Sequence, residues 1–186
     1  MASKTGDKQL ATELTSLLED SFPGISIEVD EHHPRWQRRC LVFRWEGFNE
    51  LLPEERFHRL LQVIPEEYRT KKLIGAVWLE LGPKETLEEF LQSPRSEDVA
   101  DAEPDLYRKL IKGNVFGTLD VSMGSSPEGT CTGDFSKTLG ILRGNSFSRE
   151  QIRDARLVFI RHGAYCDCQV LTTAQPALAR LHAGAA

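Results

Sequence analysis

The apolar residues of the front half change period again and again, and this alternation confines the chain to a mixed helix-and-sheet fold. Leu10, Leu14, Leu17 and Leu18 recur at i, i+4, i+7 and i+8, the stripe of an amphipathic helix. Pro23-Gly24 stops that helix. Ile25, Ile27 and Val29 then alternate with Ser26 and Glu28, the pattern of a half-buried strand. The polar stretch 30–39, with His32, His33 and Pro34, reads as a connection. From about Cys40 to Trp45 a second strand follows, with Leu41, Phe43 and Trp45 on one face. Pro53 suits the first turn of a helix whose stripe is Phe57, Leu60, Leu61 and Ile64. Pro65 ends it, because the residue before a proline avoids the α region. Residues 73–81 read as a third strand, with Leu73, Val77, Leu79 and Leu81 on one side. Thr86-x-x-Glu89 is a capping box that opens a short helix. The pattern predicts an α-β-β-α-β-α unit with a three-stranded sheet over residues 9–92, after a disordered lead-in at 1–8.

The acidic, proline-containing stretch 93–105 has few large apolar residues and reads as a linker. Residues 106–175 then read as a small second α+β unit. Helical turns at 106–111 precede a strand suggested by Val115, Leu119, Val121 and Met123. Phe135, Leu139 and Leu142 suggest a short helix, and Ser148-x-x-Gln151 caps another that Gly163 can close. Tyr165 to Leu171 reads as a final strand, and the Ala-rich residues 176–186 as a flexible tail. The expected fold class is α+β throughout.

With 40% hydrophobic and 27% charged residues the chain belongs with globular proteins. A net charge of -5 argues against a broad nucleic-acid surface, which needs clustered Lys and Arg. The local exception is Arg35, Arg38, Arg39 and Arg44, near Trp36 and Trp45. It is either a solvated strand edge or a small anion or nucleic-acid patch. No apolar run reaches the roughly 18 residues of a membrane span. The polar start is not a signal peptide, and four cysteines are too few for a disulfide scaffold. A cytoplasmic, reducing setting is the expectation.

The chemistry concentrates in the second half. On a strand, Cys166 and Cys168 would face the same way, their Cα atoms about 6.5–7 Å apart. That is the outer limit for a disulfide but comfortable for two thiolates on one metal. Cys131 could add a third ligand and His162 a fourth, a Cys₃His zinc-type set. Two alternatives stand beside it: buried thiols packing as small hydrophobes, or a redox thiol with a depressed pKa. Leu157 to Gly163 looks like the Arg-His-Gly signature of histidine phosphatases, in which the His is the nucleophile after a buried strand. That reading needs 157–161 to be a strand in a parallel sheet, and only 24 residues follow His162. No nucleotide-binding, zinc-protease or serine-hydrolase motif occurs.

Two resemblances add to this. Trp45-Glu46-Gly47 followed by Glu55-Arg56-Phe57-His58-Arg59-Leu60-Leu61 looks like the BolA family's Phe-Glu-Gly…Glu-Arg-His-Arg-Leu-Val pattern. Gly75 to Leu81 and Glu85 to Phe90 are similar to that family's final strand and following helix start. The resemblance implies a fold like the class II KH domain, without its Gly-x-x-Gly loop. It also implies a glutaredoxin-like partner and a shared [2Fe-2S] iron-sulfur cluster. His58 would be one ligand, and His32, His33 or Cys40 the other. Phe57 interrupts the motif, and a half-buried structural His58 is the competing reading. In the second half, Cys131…Phe135-x-x-Thr138-Leu139 and the closing run His162 to Leu171 resemble a small bacterial domain family of unknown function over residues 130–173. Its members carry a Cys-Asp-Gly-Thr-Leu segment and end in Gly-Gly-Tyr-Cys-Asp-Cys-Glu-Val-Leu. No activity comes with it. The expectation is a non-enzymatic binding or adaptor protein holding a structural metal, zinc before iron-sulfur. A thiol- or metal-dependent enzyme and a nucleic-acid module are the alternatives.

Overall fold

The computed structural model describes residues 4–183 of an α+β chain, so parts of the expected lead-in and tail lie outside the described residues. It divides into two compact units after Ser93.

The first unit begins with α1 (Lys4–Leu18), which takes in much of the expected lead-in. Strands β1 (Ser26–His33) and β2 (Arg38–Arg44) pair antiparallel, Val29 opposite Leu41, with a register slip between Asp30 and His33. The polar stretch 30–39 is therefore mostly strand: ladder hydrogen bonds are made by backbone, whatever the side chains. His32 and His33 lie on β1, not in a loop. Helix α2 (Pro53–Val63) ends where Ile64 turns to φ -74, ψ 117 ahead of Pro65. It is part of the crossover that lets β3 (Val77–Leu81) run parallel to β2, Cys40 opposite Val77 and Arg44 opposite Leu81. A π-helical turn at Tyr68–Lys72 and Gly75 at φ +72 delay β3 past its expected start. Helix α3 (Leu87–Gln92) opens on the expected capping box, Thr86 and Glu89 each accepting the other's backbone N–H.

The pleat sorts the sheet's side chains onto two faces. Leu41 and Phe43 join Leu14 and Leu18 of α1 and Leu60 of α2 in the main core. Cys40, Leu79 and Leu81 face the other way, with Phe90 of α3. Beside β3, the buried guanidinium of Arg56 donates to the carbonyls of Leu51 (2.9 Å) and Glu80 (2.7 Å) and to Glu85 (2.5 Å).

The second unit is helical, with no strand among the described residues. Its helices are α4 (Glu103–Lys112), α5 (Val115–Met123), α6 (Ser136–Gly144), α7 (Arg149–Arg161), the single turn α8 (Asp167–Gln169) and α9 (Gln175–Leu181). Several expectations need correcting. The supposed linker buries Val99 and Glu103, the latter at 1% exposure, and runs into α4. The supposed strand at 115–123 is α5. Val115, Leu119 and Met123 lie at i, i+4 and i+8 and are buried, while Val121 is 84% exposed. A spacing of four satisfies both periods, and Val121 decides for the helix. The strand expected at 165–171 is α8 followed by a π-helical turn at Val170–Ala174. The Ala-rich tail forms α9 with Leu178 fully buried, as the high helix propensity of Ala allows. Helix α7 starts on its capping box and ends as expected. Gly163, at φ +78, donates to Ile160 O (2.8 Å) and Ala164 to Phe159 O (2.9 Å), a Schellman closure.

Candidate metal centre

After the Gly163 turn, Cys166 is extended (φ -156, ψ 168) and caps α8. Asp167 is the first residue of that turn, and its carboxylate points into the unit at 1% exposure. It accepts the N–H of Lys137 (3.0 Å) and both the N–H (2.8 Å) and hydroxyl (2.6 Å) of Thr138. The first N–H groups of a helix have no partner within it, and they favour a negative group. Asp167 supplies one for α6. Its own N–H donates to Asp134 O at 2.8 Å. These bonds fasten the loop before α6 to the Cys166–Cys168 turn, and Cys131 sits on that loop.

The sulfurs of Cys131, Cys166 and Cys168 consequently lie within 4.8 Å of one another, with Cys166 and Cys168 3.2 Å apart. All four cysteines of the chain are free thiols. The expected placement of Cys166 and Cys168 on one side holds, but through a helix cap rather than a strand. Three thiolates about 2.3 Å from a central tetrahedral ion would sit about 3.8 Å apart, inside the observed range. These three cysteines can hold a metal ion.

Burial would push the Cys131 thiol up. The backbone N–H groups of Cys168 and Gly133 (3.4 Å for Gly133) and the two neighbouring thiols outweigh it, and the thiol lies below its ordinary value. Burial drives Cys166 up to about 12 and also raises Cys168.

His162 does not join the sulfurs. Its Nε2 lies 3.0 Å from the Glu103 carboxylate, which also takes Arg161 (2.7 Å) and His182 (3.0 Å). Burial alone would raise the Glu103 carboxyl, but the two imidazoles and Arg161 hold it below its ordinary range. This cluster was not foreseen from sequence, because Glu103 and His182 fell in a supposed linker and tail. The Arg161-His162-Gly163 phosphatase reading fails with it, since residues 157–161 are helical.

The first-unit candidates sit on three elements, His32 and His33 on β1, Cys40 on β2 and His58 on α2. Cys40 is fully buried against Leu79, Leu81 and Phe90, and burial, with the charges of Asp30 and Glu80, pushes its thiol to about 11. It is not presented on a loop. The His33 ring lies 4.6 Å from that of Trp36, and its Nδ1 accepts the Arg35 N–H. The His32 N–H donates to Asp30. His58 pairs with Gln62 at 3.0 Å, and burial lowers its imidazole pKa. Among the described residues these four form no group of three ligand atoms close enough for one ion.

The arginine patch is partly used up by internal bonds. Arg39 pairs with Glu31 and donates to Lys72 O, and Arg44 donates to the carbonyls of Gly82 and Glu85. No helix among the described residues is long and apolar enough to cross a membrane. Comparison of the chain with protein-family models, curated proteins and solved structures finds no match.

Proposed function

We propose that this chain is a non-enzymatic adaptor whose second unit holds a zinc-type ion on Cys131, Cys166 and Cys168. The observation that carries the reading is the meeting of three sulfurs from two distant segments within 4.8 Å. Thiolates select soft or borderline ions over magnesium and calcium. An ion there would join the loop before α6 to the α8 turn, so that its binding energy adds to the stability of the fold. Protein purified without chelator is expected to carry one zinc per chain by elemental analysis, lost in a Cys166→Ser/Cys168→Ser variant. Iron with visible absorbance would replace zinc by a cluster. Wild-type protein that takes up no metal under reducing conditions would leave only packed thiols and end the proposal.

The first unit is proposed as the docking half of the adaptor, for a glutaredoxin-like protein. Support comes from the BolA resemblance, together with the α-β-β-α-β-α order and a sheet whose first pair is antiparallel and second pair parallel. The burial of Cys40 leaves His58 with His32 or His33 as its polar candidates. Mixing the chain with a cluster-loaded monothiol glutaredoxin should change the visible circular dichroism of the cluster, and His58→Ala should abolish the change. An unchanged spectrum with wild-type protein removes this half of the proposal.

A further inference from the structure

We infer that the metal held by Cys131, Cys166 and Cys168 keeps a fourth coordination position open to a small thiol from outside the chain. The inference rests on the metal reading above and adds the chemistry of the missing ligand.

Zinc in proteins takes four ligands when its role is structural, and three plus an exchangeable one when the site is open. Here the chain supplies three. The nearby groups that could close the set are engaged elsewhere. Asp167 lies between two of the ligands, yet both its oxygens accept bonds from the first turn of α6. The Asp134 carboxylate accepts the Ser136 N–H (3.0 Å) and the Thr132 hydroxyl (2.7 Å). His162, four residues before Cys166, is held by Glu103. Among the described residues no fourth Cys, His, Asp or Glu joins the group. Residues 1–3 and 184–186 carry no side chain of those four types. Cys131 and Cys168 are only half-buried, so an ion between the sulfurs is reachable from solvent, while the 8% exposure of Cys166 keeps the approach narrow. A thiol carried on a slim arm, such as a cysteinyl CH₂–SH, suits that opening.

Charge and softness select the ligand class. Three thiolates on a divalent ion leave a net charge of -1 and a soft metal, which takes sulfur as its fourth donor in preference to the hard oxygens of phosphates and carboxylates. A thiolate carries charge too, but the backbone N–H groups aimed at Cys131 Sγ draw negative charge off the cluster and offset it. In the exchange, a thiol S–H bond breaks, its sulfur displaces water from the metal, and the proton leaves with that water. No oxidant or reductant takes part.

Cobalt(II) in place of zinc reads the result, because its sulfur-to-metal absorption scales with the number of thiolates. The full-length chain, loaded with cobalt under argon, is titrated with glutathione and, separately, with S-methylglutathione, which has no free thiol. The expected result is a saturable rise of about one third in that absorption with glutathione, from three sulfurs to four, and none with the methylated compound. Failure to bind cobalt would count against the metal reading itself. Cobalt bound with three-sulfur intensity and indifferent to glutathione overturns the open position alone. So does four-sulfur intensity before any addition, in a chain that elutes as a dimer. Cobalt stripped into the filtrate by glutathione overturns it as well.

Discussion

Asp167 stands between Cys166 and Cys168 and turns its carboxylate to the start of α6. Its carboxylate helps to tie the start of α6 to a turn that is distant in sequence. Asp167→Ala removes three accepted hydrogen bonds and leaves two N–H groups of α6 without their acceptor. It should cost the second unit about 2 kcal/mol in urea unfolding and weaken zinc about tenfold or more, as loss of an outer support does. An unchanged zinc affinity would show that the sulfurs converge without it. The thiols themselves make a second prediction. With Cys166 pushed to about 12 and Cys168 raised, both carry protons at neutral pH. Metal must displace them, so binding should release at least two protons per ion and weaken as pH falls. Calorimetry in buffers of different ionisation enthalpy counts the release, and a value near zero would contradict these shifts.

At the level of elements, local signals were readable and distant partnerships were not. The capping boxes at Thr86 and Ser148, the stop at Pro65 and the Gly163 closure are decided within a few residues, and each is where the sequence puts it. The period of 115–123 was ambiguous because Val115, Leu119 and Met123 satisfy a strand and a helix alike; only packing tells them apart. The cysteine trio was found from residue type, although for the wrong backbone. His162 was misassigned because its choice between sulfur and carboxylate depends on Glu103, 59 residues away. That carboxylate ties α4 to the end of α7 and to His182, just past α9. Glu103→Gln should destabilise the second unit by about 2–3 kcal/mol, discounted from a fully buried pair because Arg161 is 37% exposed on its side chain. Glu103 sits below its ordinary 4.5 when folded. Its contribution is therefore complete above about pH 4.5 and disappears as pH falls through the folded value. Thermal melts of the two proteins should differ at pH 7 and draw together as pH falls below 4.5. A gap that persists in acid would assign the loss to packing instead.

Over the whole molecule, each unit has a core of its own, and perturbations should sort accordingly. Zinc should raise the unfolding temperature of the helical unit and leave that of the sheet unit in place. Arg56→Met removes the buried cation that ties α2 to Glu85 and to the backbone beside β3, and leaves Glu85 with only the Gly82 N–H. It should lower only the sheet unit, by about 3 kcal/mol. Scanning calorimetry with near-ultraviolet detection separates the two, since all three tryptophans precede Ser93. A zinc-dependent shift in the tryptophan signal would contradict the sorting.

The strand order places β1 at the rim of its sheet, and along eight residues that rim carries the exposed Glu28 and Asp30. A row of unpaired backbone groups invites another chain to zip on, and like charges facing each other across such a seam oppose it. The acidic composition that argued against nucleic acid would then also discourage one copy from zipping onto the next.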